Sequence, residues 1–446
     1  MKCLTLIATS AVLFSVVPLH AQVDRGIQTQ APLQLTVDEA VRRGLDSSHR
    51  VAEAIARGEA AAAVAGGRHA ATLPLISALA GYTRTNHVDT FGVLLPNNQL
   101  SVIYPDIPDN YRTRLDVQWP LYTGGRLDAL ERAARIEATA SADEVAAARA
   151  DLTLDITRVY WNLVTSRESL RVVEESVARI DMHLRDVRNQ LAAGLLPPND
   201  VLTVEAQQSR QRMLAIQARA MAEVAEAELA KLVGAPPGTR IDPAFATDVP
   251  TAAPAPIDAL VEAARRQRPE RALLVKRVSA ATERAAAAAA GRRPVVAVGG
   301  GVDYARPNPH IFPREGAWRP SWDASVNVNW PLFDGGRTGS EIAEARALAR
   351  ALEERLADFD ASLAVELRQR LNEVTSSRAA IDAASDAVRS ATEARRVLGE
   401  RFAAGVATST DVLDAQVALL QADLDRTQAI ASARFADARL SRALGQ

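Results

Sequence analysis

The sequence has one cysteine, few aromatics, no charge bias and, past its opening, no long apolar run. Cys3 is the single cysteine among 446 residues. No disulfide framework can therefore stabilise the fold. Lys and Arg number 52 against 54 Asp and Glu, a net charge of −2, so nothing biases the chain toward nucleic acid. Aromatics are 4% of the residues, and the 48% hydrophobic share is largely alanine. That composition suits long helices packed closely rather than a thick globular core. Beyond residue 21 no segment approaches the roughly 20 apolar residues of a spanning helix. There is no HExxH, no GxSxG and no phosphate-cradling glycine loop before a basic residue. After the opening segment, His49, His69, His87, His183 and His310 are scattered, with no metal-ligand spacing. Neither an enzyme nor a cofactor or metal is expected.

What is present begins with MKCLTLIATSAVLFSVVPLHAQ. A basic start, a short apolar core and a small-residue exit predict a secretory signal over 1–21, cut after Ala21. A phrase then appears twice. WPLYTGGR (Trp119 to Arg126) returns as WPLFDGGR (Trp330 to Arg337), 211 residues later. The same shift aligns Ala192-Ala193-Gly194 with Ala403-Ala404-Gly405, and Asp200-Val201-Leu202 with Asp411-Val412-Leu413. This spacing far exceeds a solenoid repeat and predicts two copies of one structural half, over 22–234 and 258–446. A Pro- and Ala-rich linker over 235–257 joins them.

Before each phrase the pattern alternates. Tyr111, Thr113, Leu115, Val117 and Trp119 oppose Arg112, Arg114, Asp116 and Gln118. Trp322, Ala324, Val326, Val328 and Trp330 oppose Asp323, Ser325, Asn327 and Asn329. Each run matches a transmembrane strand of roughly 9–11 residues, with one face suited to lipid and the other to water. Partner strands over Leu75 to Thr85 and from Val296 are weaker. Gly299-Gly300-Gly301 falls in the second, where small residues suit a lumen or a close neighbour. The segments TNHVDTFGVLLPNNQLSVIYPDIPDN and RPNPHIFPREGAWRPS read as surface loops. Alternation alone also fits a soluble hairpin. The signal, and the lack of segments to cover the apolar faces, favour the membrane. Four strands cannot close a barrel, which needs about eight, and open edges in lipid cost several kcal/mol per unpaired group. Several chains would have to build one barrel.

After the first phrase the spacing is heptad. Ile156, Leu163, Leu170, Val177, Leu184 and Leu191 form one series, and Leu152, Val159, Val173, Ile180 and Val187 the other. Such a repeat supercoils left-handedly against its neighbours. The second copy is looser: Leu367, Val374, Ile381, Val388 and Phe402, interrupted by Arg395. A helix from Leu127 to Leu191 would be roughly 100 Å long. Gly194 and Gly405 are placed to end these helices in a left-handed conformation, and helices from about Asp200 and Asp411 run back. The pattern also fits a periplasmic coiled-coil structural or adaptor protein, although no compact β-domains flank the hairpin as an adaptor would require.

In its doubled layout, its Trp-Pro-Leu…Gly-Gly joints and its two tip turns ending in Asp-Val-Leu, the sequence resembles the TolC-like outer-membrane efflux protein family. The resemblance covers nearly all of the chain after the signal. It implies a mainly helical fold with a transmembrane β-barrel. Three chains of strand-strand-long helix-turn-helix halves would close a trimeric 12-stranded barrel, continued by an α-helical periplasmic tunnel. It implies a passive outer-membrane channel of a tripartite efflux or secretion system, working with a periplasmic adaptor and an inner-membrane pump. Trp119, Pro120, Gly124 and Gly125, with Trp330, Pro331, Gly335 and Gly336, become the barrel-to-helix joints, where each proline ends its sheet and the glycines redirect the backbone. Asp411 and Asp414 become carboxylates of the periplasmic constriction. Asp200 becomes a residue that helps hold the closed entrance, although either Asp200 or Asp411 could simply cap its helix. Gly194, Leu195, Gly405 and Val406 lie on the tips where adaptors dock. The family's gate tyrosine and arginine are Phe402 and Ala407 here, so other bonds must hold the gate.

Overall fold

A computed structural model of the protein describes residues 32–244 and 256–446. The predicted signal lies outside the described residues, as does most of the later half of the predicted linker. The element order is β1 (Leu33–Leu35), α1 (Val37–Ser47), α2 (His49–Ala70), β2 (Leu75–Arg84), β3 (Phe91–Leu94), β4 (Leu100–Tyr104), β5 (Asp109–Tyr122), α3 (Arg126–Ala192), α4 (Pro198–Leu232), β6 (Ile241–Pro243), α5 (Ile257–Gln267), α6 (Pro269–Ala289), β7 (Val295–Arg306), β8 (Arg319–Asn329), α7 (Arg337–Ala403) and α8 (Ser409–Leu444). The fold is mainly helical, and among the described residues no helix is long and apolar enough to cross a membrane.

The duplication is visible in the helix bounds. The 67-residue α3 and the 67-residue α7 start 211 positions apart, and so do α4 and α8. No proline and no interior glycine interrupts α3, so each backbone N–H keeps its partner four residues back. Its heptad leucines and valines turn inward. Leu152, Ile156, Val159, Leu163, Ile180, Leu184 and Val187 are all buried. The looser spacing of α7 shows as fewer buried positions, chiefly Leu363, Leu367, Val374 and Phe402. In its upper part α3 lies beside α2 and α6, and in its lower part beside α4 and α8.

The four long strands form one antiparallel sheet in the order β2-β5-β7-β8. β2 and β8 are its open edges. The predicted linker is partly structured: Ile241–Pro243 pairs in parallel with Leu33–Leu35. Leu35 and Ile241 are fully buried in a cluster with Ile156, Tyr160 and Leu229. The Tyr160 hydroxyl reaches the Leu35 carbonyl at 3.1 Å and that of Ala244 at 2.9 Å, and burial pushes its pKa up to about 12. The first predicted surface loop contains a further hairpin, β3–β4. It stands apart from the main sheet, so no period shared with the long strands marked it.

Candidate transport pathway

Residues paired across an antiparallel ladder share a face. On one face of the sheet stand Arg112, Arg114, Asp116 and Gln118 from β5. Their partners there are Ala305, Asp303, Gly301 and Gly299 of β7, and next to these Arg319, Ser321, Asp323 and Ser325 of β8. This face is polar. Arg112 holds Asp303 through Nε at 2.6 Å and Nη2 at 3.2 Å. Arg114 donates to Asp303 at 2.5 Å, to Asp323 at 2.6 and 3.1 Å, and to Asp116 at 2.9 and 2.8 Å. Asp303, His310 and Asp323 place possible ligand atoms within 4.8 Å of one another. Arg114 already occupies oxygens of both carboxylates, so a cation there would face a guanidinium.

The opposite face is apolar and uncovered. Leu115, Val302, Trp322 and Val326 are exposed, Trp322 to 78%. Aromatics gather at two levels of this face. Tyr82, Tyr111, Trp318 and Tyr304 form a chain of ring contacts, with centroids 5.0, 5.8 and 5.1 Å apart, at the end away from the helices. Trp119, Tyr122 and Trp330 lie at the helix end. Two aromatic belts bounding an apolar band are the pattern of a membrane-facing sheet.

At the joints the tryptophans act as ties. Trp119 Nε1 donates to the Thr72 carbonyl at 3.2 Å and Trp330 Nε1 to that of Arg292 at 3.1 Å. Each indole thus fixes the end of one strand to the helix-to-strand turn before its neighbour. Gly124, Gly125, Gly335 and Gly336 all have φ between 66° and 90°, the left-handed region that glycine enters at little cost. The reading of Pro120 as the end of its sheet is corrected. β5 runs on to Tyr122, with Pro120 opposite Ala297. The ladder to β2 stops at Gln118, so the missing proline N–H falls where β5 has only one neighbour. Pro331 does lie beyond its strand.

At the far tips Gly194 and Gly405 have φ of 72° and 75°. Leu195 N–H reaches back to Gln190 O and Val406 N–H to Arg401 O, each at 2.9 Å. These are Schellman closures, and they leave Leu195 and Val406 exposed. Neither aspartate is the N-cap residue. Pro197 stands at that position of α4, and Asp200, in its first turn, accepts from Asn199 at 3.1 Å. Thr408 caps α8, and Asp411 completes a capping box by accepting from Thr408 N at 2.8 Å. The Thr408 hydroxyl, donating at 2.7 Å, and then the Thr408 N–H hold the Asp411 carboxyl below its ordinary pKa. Asp411 and Asp414 share the exposed face of α8, while Val412 and Leu413 between them are buried.

Phe402 is not on the surface. It sits in an apolar cluster of α3, α4, α7 and α8 with Ile180, Leu184, Val187, Val201, Val204, Val412 and Leu413. Its ring packs edge-on against His183 at 5.1 Å. Buried His183 in turn lies 3.0 Å from Ser409 Oγ, joining the first helical hairpin to the second. Burial lowers the His183 pKa, opposed by Asp186 and the Ser409 contact.

The residues missed in the sequence are His183 and the Arg114 network. The Arg-x-Arg-x-Asp run did mark the polar face. Asp303 as its shared partner was hidden, because β5 and β7 lie in different halves of the chain.

A sheet with one polar and one bare apolar face, continued by two 67-residue helices, is an arrangement shared with transport channels of the outer membrane. The profile of the family described as "Outer membrane efflux protein" matches residues 40–235 and 260–446, and the chain belongs to that family. The outer membrane protein TolC of Vibrio cholerae is 25% identical over 315 residues, 68% of each chain. The solved outer membrane protein VceC of Vibrio cholerae superposes with a TM-score of 0.75 at 20% identity, covering 92% of this chain and 96% of its own. The Campylobacter jejuni CmeC outer membrane channel gives 0.76 at 17%, covering 92% and 85%.

Proposed function

We propose that three copies of this chain join their sheets edge to edge into one 12-stranded barrel, and that their helices continue it as a periplasmic tunnel. The observation that carries this reading is the four-stranded sheet itself, with a bare apolar face and unpaired edges at β2 and β8. An isolated sheet of that kind is untenable in lipid. Pairing β8 of one copy with β2 of the next removes both edges. The polar face then lines the lumen and the aromatic belts meet the two interfaces. A second uncovered surface supports the same assembly. Along α4, Leu202, Met213, Ile216, Met221 and Val224 are exposed, a stripe that a neighbouring copy's helices would cover.

The duct would be passive. A periplasmic adaptor docked on the tips around Gly194, Leu195, Gly405 and Val406 would connect it to an inner-membrane pump that supplies the energy. Asp411 and Asp414, with Asp200 nearby, would form the constriction at the tunnel entrance. Phe402 acts there from within the packing, together with His183, rather than as a surface latch. The alternative of a periplasmic stalk leaves the apolar face and belts unused. Fractionation tests the choice. A heat-modifiable trimer in the outer membrane supports the duct, and a soluble monomer in the periplasm overturns it.

A further inference from the structure

The Arg114 network lies toward the half of the sheet away from the helices, and the chain folds back over it. Pro307 and Asn308, which follow β7 directly, are buried. Asn308 donates to the Arg319 carbonyl at 2.8 Å and to Ser321 Oγ at 2.9 Å, and its own oxygen accepts from His310 N at 2.9 Å. This turn brings the His310 ring onto the polar face, 3.9 Å from Asp303. Asp303 is 0% exposed, although it belongs to the face that the sheet alone would leave open. The rest of the connection is also anchored. Arg306 Nε donates to the Gly316 carbonyl at 2.6 Å, and Arg314 donates to the Tyr104 hydroxyl at 2.6 Å.

Gly301, the last of the glycine run, is explained by the same arrangement. An added Cβ at Gly301 would lie 2.8 Å from the Arg114 guanidinium carbon. Gly301 therefore leaves the space in which Arg114 lies flat across β7 to reach Asp323 on β8. A guanidinium satisfied by three carboxylates is held in one place, since its fork matches carboxylate geometry and each bond is charge-assisted.

We propose that Arg114, pinned by Asp116, Asp303 and Asp323 beneath the folded-back Pro307–His310 turn, forms a charged collar that narrows the outer mouth of the duct and sets the size of what passes. The inference rests on the barrel reading above. Three copies would place three such turns around one lumen, separate from the tip constriction. The collar differs from the tip in composition: it is a network of paired opposite charges, not a ring of like carboxylates.

The chain's lack of cysteine beyond Cys3 makes a thiol test clean. Ser325→Cys places a thiol on the polar face, on the helix side of the collar, and Asn97→Cys places one in the exposed β3–β4 turn. Intact cells expressing the full chain are treated from outside with a small maleimide and with a bulky polyethylene glycol maleimide. The expected result is that both reagents label position 97, while only the small one labels position 325. Adding Arg114→Ala or Asn308→Ala should admit the bulky reagent to position 325 several-fold faster, with the heat-modifiable trimer retained. Asn308→Ala leaves every strand residue in place, so it reports even where Arg114→Ala fails to assemble. If the bulky reagent labels position 325 as fast as position 97 in the unmodified mouth, or if neither variant changes its rate, there is no collar. If the small reagent labels position 97 but never position 325, the polar face is not an open lumen, and the barrel reading fails together with the collar.

Discussion

Gly124 and Gly335 occupy the same place in the two copies of the joint, with φ of 66° and 68°. Their surroundings differ. An added Cβ at Gly124 would lie 2.7 Å from Arg293 Cβ and 3.1 Å from the Ala290 carbonyl, whereas at Gly335 nothing lies within 4 Å. Both alanine variants carry the strain of a left-handed non-glycine residue, about 1–2 kcal/mol. Only Gly124→Ala adds a clash with a side-chain stem and a backbone oxygen. Arg293 also donates to the Gly124 carbonyl at 2.8 Å, so displacing it breaks a bond. Thermal unfolding of the purified assembly should therefore show Gly124→Ala melting clearly below the parent, because its clash lies within one chain. An unchanged melting temperature would mean that the joint's contacts to the turn after α6 do not matter. The sequence made the two glycine pairs look equivalent. The difference comes from a residue in the other half of the chain.

The helical hairpins show what periodicity can and cannot reveal about an element. Their lengths, their supercoiling stripe and their closing glycines follow from local rules, and were legible. Which hairpin meets which, and through what, was not. His183 lies beside Leu184 and three residues after Ile180, positions that read as plain core, yet it is a polar link between α3 and α8. Its folded pKa is depressed by burial, so the packed tip favours the neutral ring. The stability it supports is complete above the unfolded value of about 6.5. It is lost as pH falls below that value, because the unpacked ring takes a proton more readily than the packed one. Hydrogen-exchange protection at α3 and α8 near the tip, taken relative to the intrinsic rate at each pH, should fall on going from pH 8 to pH 5. Asp186, Arg179 and Arg395 line the same cavity and set a background, so the contrast lies in the variant. His183→Leu should flatten the pH response of that protection around 180–187 and 409–413. An unchanged pH response in that variant would remove His183 from the account of the tip.

At the level of the whole molecule the question is which face of the sheet meets lipid. Val326 and Asn327 are neighbours on β8 that point to opposite faces, Val326 with the exposed apolar set and Asn327 with the polar one. If the barrel closes as proposed, Val326→Lys puts a charge in the hydrocarbon, at a cost of about 2–4 kcal/mol near the midplane. Asn327→Lys adds one to a water-filled lumen and should be tolerated. Outer-membrane trimer levels should fall sharply for the first and change little for the second, and the reverse order would invert the assignment of the faces. Period-two and heptad spacing, helix-ending glycines and the repeated joint are short-range properties of the chain. The sequence by itself therefore determined the doubled halves, the two-faced strands and the long helices. Only the tertiary structure decided that Arg114 meets Asp303 and Asp323, that His183 meets Ser409, and that Ile241 in the linker pairs with Leu33. In each case the two partners are far apart in the chain, and packing, not any local pattern, determines which distant groups share a low-dielectric site.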